Sequence, residues 1–361
     1  MLELPRVRVS EAERSSGQLN PASLAVACSG LQHAGAVLLE DAIDPEPLRR
    51  LAQRMAADLP AFMGASEQRY GNAPHNFVWG NVQQDPPLEL AAHANHEILA
   101  NPWALQVISA VMPVNGSRGV GLAFTGNTNL PGSRTQPVHR DASHAAEPFI
   151  AFVINIALCD VDEHNGSLEC WLGTHLESDV ATAERQSGQK WIGNIPPRQL
   201  ESRRLAHPPP VRVNCRLGSV LVRDHKLWHR GTNNSSDEPR FMVAAIVRSV
   251  SSDVEPHAFS RGAERAVARA QCTLASLWPA APGGTGGWSA TFVPENDLPP
   301  TARGDGCFDW DRRYLFPFAK PEAPKPGEGA ILPLSCAHGA TGKLTGGDGE
   351  QSCWSVPVPT P

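Results

Sequence analysis

What the chain lacks narrows its function before any motif is considered. It has no surplus of positive charge: 31 Lys and Arg stand against 37 Asp and Glu, a formal net charge of −6. Proteins that bind nucleic acid or anionic membranes carry a basic excess, and no local run of like charges supplies one here. No nucleic-acid partner is expected. No apolar stretch approaches the roughly 20 residues a bilayer span needs. Residues 1–6 show no basic segment followed by an apolar one, so neither secretion nor membrane attachment is expected and a cytoplasmic location is. Eight cysteines are present, none paired as CxxC. Without a secretory signal they read as free thiols in a reducing compartment. There is also no nucleotide-type alternation of strands and helices, no Gly-rich phosphate loop and no internal repeat.

What is there suits one large domain. Hydrophobic residues make up 41% of 361 positions, enough for a full core. Residues 1–29 mix polar and small side chains and read as an N-terminal arm. The run 31–39 (LQHAGAVLL) suits a buried strand. Asp44-Pro45-Glu46-Pro47 is a helix start, with Leu48, Leu51, Met55 and Leu59 following at near-helical spacing. The segment 73–83 reads as a strand and much of 88–112 as a helix. Short β-rich runs then follow at 119–125, 149–158, 167–172, 211–213, 218–223 and 240–250, punctuated by Gly, Asn, Asp and Pro. Many short strands joined by irregular loops predict a mainly β fold with flanking helices, a double-stranded β-helix or jelly roll of the cupin type. The domain is expected to occupy 30–318. A Pro- and Gly-rich tail over 319–361 is expected to be flexible.

The sharpest local feature is Gln136-Pro137-Val138-His139-Arg140-Asp141. In an extended segment His139 and Asp141 fall on one face, where an imidazole and a carboxylate can hold one metal ion. Far downstream, the apolar strand at 218–223 runs into a turn that carries His225 and His229. A jelly roll brings distant strand ends to one barrel mouth. Two His and one carboxylate on one face of an octahedron leave three positions open, as non-haem Fe(II) oxygen activation requires. Arg240 opens the strand at 240–250, eleven positions after His229. A guanidinium facing into a barrel calls for an anion, and a carboxylate suits it best. 2-Oxoglutarate, with an α-keto acid at one end and a carboxylate at the other, has the shape to chelate iron and reach Arg240.

These residues resemble the phytanoyl-CoA dioxygenase family of Fe(II)/2-oxoglutarate oxygenases. The matching pieces are QPVHRD (136–141), NGSLECWLGTHL (165–176), LWHRGTNNSSDEPR (227–240) and the segment around 31–60. The resemblance implies that His139, Asp141 and His229 are the iron ligands and catalytic centre, His229 being preferred to His225 because Trp228-His229-Arg230-Gly231 and the later arginine fit the register. It implies that Arg240 binds the 2-oxoglutarate carboxylate and that Gln136 contacts the cosubstrate. A hydroxyl residue after the distal histidine can assist, and Thr232 is the candidate. The implied activity is oxidation of a substrate C–H bond by Fe(II), 2-oxoglutarate and O2, with release of succinate and CO2 and with ascorbate as a possible support. Hydroxylation is the first expectation, with desaturation or rearrangement as other outcomes. Related halogenases replace the carboxylate ligand by a small residue, so the intact Asp141 argues against halogenation.

The expected substrate is a small, mainly apolar metabolite of natural-product biosynthesis. An acyl-CoA thioester is the alternative, and a non-catalytic jelly-roll module that binds metal or ligand is a reading of a different class. His75, Phe77 and Trp79 would alternate onto one face of the 73–83 segment and line the substrate pocket. His93, His96 and Glu97 could form a separate zinc site, but HxxHE is not the HExxH order of zinc proteases, and an exposed polar helix face is the expectation.

Overall fold

The computed structural model describes residues 3–70, 80–112, 119–141, 151–177, 195–250, 257–278, 288–298, 341–345 and 351–355. In chain order the first elements are β1 (Arg6–Arg8), α1 (Glu11–Ser16), α2 (Pro21–His33), β2 (Ala36–Glu40) and α3 (Pro45–Tyr70). Then come β3 (Asn81–Val82), α4 (His96–Leu99), α5 (Pro102–Val111), β4 (Gly119–Asn129), β5 (Ala151–Ala157) and β6 (Leu168–Cys170). They are followed by α6 (Pro197–Ala206), β7 (Val211–Val213), β8 (Val220–Asp224), β9 (His229–Gly231) and β10 (Arg240–Val250). The last are β11 (His257–Ser260), α7 (Glu264–Leu277), β12 (Ala290–Val293), β13 (Thr341–Thr345) and β14 (Gln351–Ser355).

Seven strands form the main sheet, in the order β1-β2-β8-β5-β10-β4-β3, and three form a smaller sheet, β7-β6-β9. All neighbouring pairs in both are antiparallel except β1 with β2. Strands distant in sequence thus become neighbours, as in a jelly roll. The period-2 alternation of strands assigns each sheet face its own task. On the outer face of the main sheet, Val37, Leu39, Phe152, Ile154, Ile156, Val220, Val222, Val243 and Val247 join one core with helix residues such as Leu48, Leu51, Met55, Leu59, Trp103, Ile108 and Leu274. Each such side chain, fully buried, contributes about 1.5–3 kcal/mol. On the inner face, Leu38 and Leu221 meet Cys170, Leu172 and Val213 of the smaller sheet.

The helix expected from Asp44 is present: the Asp44 carboxylate accepts from the Glu46 backbone N–H, and Leu48, Leu51, Met55 and Leu59 are fully buried. The β-rich runs appear as β4 to β8 and β10. Three expectations differ in detail. The segment 31–39 splits, because α2 continues to His33 and the chain turns at Gly35 (φ +79°) before β2 begins. The segment 88–112 carries two helices rather than one, because the Asn101 side chain caps a fresh start by accepting from Ala104 N–H, with Pro102 in the first turn. The residues read as an N-terminal arm are built into the fold: β1 extends the main sheet, and Val7, Val9, Leu19 and Ala27 belong to its core. In that stretch Ser10 and Glu13 form a reciprocal capping box on α1. The described parts of the expected 319–361 tail are β13 and β14, which pair antiparallel. No helix among the described residues is long and apolar enough to cross a membrane.

Candidate metal centre

His139 and His229 face each other across an isolated antiparallel bridge. The His139 N–H donates to the His229 carbonyl at 2.9 Å, and the His229 N–H donates to the His139 carbonyl at 2.8 Å. Their ring centroids lie 4.4 Å apart. Each Nδ1 sits 2.9 Å from the carbonyl two residues earlier, of Pro137 and of Leu227 respectively. A carbonyl can only accept, so each Nδ1 carries the proton and each Nε2 presents a lone pair. Both lone pairs look toward one carboxylate: His139 Nε2 is 3.9 Å from Asp141 Oδ1, and His229 Nε2 is 3.5 Å from Asp141 Oδ2. One ligating atom from each residue lies within 4.8 Å of the others, and no other such group of three occurs among the described residues.

The charge states also suit a cation. Burial alone would push the Asp141 carboxyl up, but its side chain keeps 30% of its surface accessible, and the adjoining Arg223 guanidinium holds it well below the usual carboxylate range. Burial and Arg223 push His229 well below its ordinary value, so it stays a neutral ligand. The donor set, two neutral imidazoles and one ionised acid, fits a divalent transition metal.

Arg223 is the functional residue that the sequence reading missed. It stands on β8, on the inner face, and donates to Asp141 Oδ2 at 2.6 Å and to Asn155 Oδ1 at 3.0 Å. A charged residue at an inward position, directly after the apolar run Val220–Val222, was the available signal.

Arg240 stands at the start of β10, also on the inner face, and is buried. It donates to Asn127 Oδ1 and to the Gly166 carbonyl, both at 3.1 Å, and meets no carboxylate among the described residues. Burial lowers its pKa to about 10, which leaves it charged at neutral pH. Gly166 approaches closely enough (φ +85°) that a Cβ there would lie 2.0 Å from Asn129 Nδ2.

Gln136 and Thr232 lie beside the metal ligands but spend polar atoms on the fold. Gln136 Oε1 accepts from Gly231 N–H at 2.8 Å, and Gln136 N–H donates to the Gly231 carbonyl. A Cβ at residue 231 would lie 2.2 Å from Asn81 Nδ2, so glycine is required there. The Thr232 hydroxyl donates to the Ser167 carbonyl at 2.7 Å and accepts from Arg212 at 2.6 Å. The Thr174 hydroxyl accepts from Trp228 N–H and so steadies the residue before His229.

His225 is buried outside the ligand group; its carbonyl accepts from Asp141 N–H, and burial pushes its ring down to about 4. His93 precedes the short helix that carries His96 and Glu97, and the three form no ligand cluster. His75, Phe77 and Trp79 lie outside the described residues. Ala123, Ala151, Val153, Ala244 and Ile246 form an apolar cluster on the inner face of the main sheet. Thr125, opposite Ala244 in the β4–β10 ladder, adds a buried hydroxyl without a hydrogen-bond partner among the described residues.

Among solved structures, the chain resembles the non-heme alpha ketoglutarate dependent epimerase SnoN from nogalamycin biosynthesis. That match has 18% identity, covers 63% of this chain and 83% of that one, and has a TM-score of 0.38. A second structure of SnoN, in complex with Fe3+, alpha ketoglutarate and nogalamycin RO, matches at 18% identity over 64% and 85% of the two chains, with a TM-score of 0.42. The crystal structure of EvdMO1 matches at 21% identity over 62% and 49%, with a TM-score of 0.41. The phytanoyl-CoA dioxygenase family matches residues 31–242, more than half of the sequence and the whole stretch that carries the site. The chain therefore belongs to the phytanoyl-CoA dioxygenase family, the Fe(II)- and 2-oxoglutarate-dependent oxygenases.

Proposed function

We propose that His139, Asp141 and His229 hold Fe(II), that Arg240 binds the far carboxylate of 2-oxoglutarate, and that the site oxidises a C–H bond of a small, mainly apolar metabolite. The observation that carries this reading is the convergence of two lone-pair-bearing Nε2 atoms and one ionised carboxylate from residues remote in sequence. When bound, the iron supplies activation of O2 coupled to oxidative decarboxylation of 2-oxoglutarate to succinate and CO2.

The chain's own residues do the positioning. Arg240, charged and buried with only neutral acceptors among the described residues, would find its charge partner in the far carboxylate of a dianionic cosubstrate. Gln136 and Thr232 act through the strand that carries His229: they fix Gly231 and the residue after it, and so fix the height of the imidazole. The patch of Ala123, Ala151, Val153, Ala244 and Ile246, three of its five side chains alanine, offers an apolar substrate an apolar wall. Thr125 is placed to orient one polar group on that substrate. A natural-product intermediate with a rigid apolar skeleton fits such a wall.

The test is succinate formation by the purified chain with Fe(II), 2-oxoglutarate, O2 and ascorbate, with a panel of apolar polycyclic candidates and acyl-CoA esters. Iron-dependent succinate above background, raised by an apolar candidate, is the expected result. Stimulation by acyl-CoA esters alone would overturn the substrate assignment. Absence of both turnover and iron-dependent 2-oxoglutarate binding would make the fold a binding module.

A further inference from the structure

We propose that Arg223 is a positioning residue for the metal centre: its guanidinium occupies Asp141 Oδ2, so that the carboxylate offers the ion a single oxygen, Oδ1. This inference rests on the reading of His139, Asp141 and His229 as the metal ligands and adds a residue that this reading does not require.

The geometry is specific. Arg223 is buried, with 6% of its side-chain surface accessible, and its Nη2 lies 2.6 Å from Asp141 Oδ2. Its Nε donates to Asn155 Oδ1 at 3.0 Å. The strand register explains the pairing. Arg223 lies opposite Val153 and Asn155 opposite Leu221 in the β5–β8 ladder, which makes Arg223 and Asn155 diagonal neighbours on the inner face. Asn155 therefore fixes the guanidinium plane, and the guanidinium fixes the carboxylate. The Asp141 backbone is tied by its N–H to the His225 carbonyl and by the neighbouring His139–His229 bridge, and Arg223 supplies the hydrogen bond that fixes its carboxylate.

Two consequences follow from ligand chemistry. A carboxylate bound through both oxygens fills two coordination positions. One bound through a single oxygen leaves three open beside the two imidazoles, the number that a two-oxygen chelator and O2 together need. The guanidinium also holds the carboxylate in one orientation before any metal arrives, so the ligand is already placed to bind. Partners of this kind behind metal ligands commonly change affinity by about 10- to 100-fold when removed.

The test is an anaerobic Co(II) titration of the full chain, followed by the visible d–d bands, for wild type, Arg223→Met, Arg223→Lys, Asn155→Ala and His229→Ala. Arg223→Met is expected to bind Co(II) about 10- to 100-fold more weakly, with altered band position and intensity because the carboxylate can turn to bind through both oxygens. Arg223→Lys, which keeps the charge, should lie nearer wild type, and Asn155→Ala should lie between wild type and Arg223→Met. Wild-type Co(II) affinity and spectrum in a folded Arg223→Met variant overturn the proposal. Should that variant fail to fold, unchanged affinity and spectrum in both Arg223→Lys and Asn155→Ala overturn it instead. If His229→Ala binds Co(II) as tightly as wild type, the metal-site reading itself fails and this inference with it. If His229→Ala is impaired while the Arg223 and Asn155 variants are not, only the role of Arg223 is lost.

Discussion

The two faces of the main sheet are built from the same strands and differ in nearly everything else. The outer face places Phe152, Ile154, Ile156, Val220, Val222, Val243 and Val247 against helices and is mainly apolar, with Thr128, hydrogen-bonded to Gln84, and Asp224 among its few polar members. The inner face alternates with it residue by residue and carries Asn155, Arg223, Arg240, Thr125 and Asn127 among small apolar side chains. One face holds the barrel open and the other equips its interior. Because the alternation is strict, a one-residue slip in any of these strands would exchange the two roles. Stability and chemistry should therefore respond to different substitutions.

The largest expected effect is on the inner side. Asp141→Ala or His229→Ala should reduce succinate formation to background; His229→Ala should leave the thermal melt close to wild type, while Asp141→Ala should lower it, because it strips the buried Arg223 of its partner. Measurable turnover in either purified variant would break the comparison at its centre. On the outer side, Ile156→Ala should cost about 2–5 kcal/mol of stability in a urea melt, as expected for a truncated core side chain, with 2-oxoglutarate affinity per folded molecule unchanged. Equal loss of affinity and stability would show that the faces are not separable.

Next in size, Arg240→Ala should weaken 2-oxoglutarate binding by about 1.5–3 kcal/mol, the usual worth of a hydrogen bond to a charged group. Cosubstrate titration under anaerobic conditions checks it, and unchanged affinity would place the carboxylate elsewhere.

The smallest effect lies away from both faces. Glu13, hydrogen-bonded by Ser10 and Asn20, has its pKa lowered to about 2, chiefly by the Ser10 hydroxyl. A depressed acid stabilises the fold above its ordinary pKa of 4.5 and loses that contribution as the pH falls toward 2. Glu13→Gln should cost about 1 kcal/mol at pH 7, and the difference from wild type should shrink through that acid window. A difference that does not depend on pH would assign the loss to packing instead.

The ligand triad was legible because its signal is local: His139 and Asp141 are two residues apart, and His229 and Arg240 stand at a short spacing from each other. Their convergence, by contrast, depends on the order of strands in the sheet, which no single segment carries. Arg223 and Asn155 escaped notice because each sits inside a strand whose apolar character dominates its neighbours. Only the register that places Arg223 opposite Val153 shows them to be partners. The split of 88–112 turned on one side chain, Asn101, competing for the backbone of the next helix. The stretch before β2 looked loose because three residues of β1 are too short a strand to read by alternation.

The mutual backbone bridge between His139 and His229 has a consequence for loading and unloading the ion. The two imidazoles are riveted together by main-chain contacts that owe nothing to the metal, so their spacing survives its departure. A chelator should strip the centre without loosening the barrel. The amide protons of residues 139 and 229 should exchange with solvent equally slowly before and after. Reconstitution then becomes capture of an ion by two imidazoles already in place.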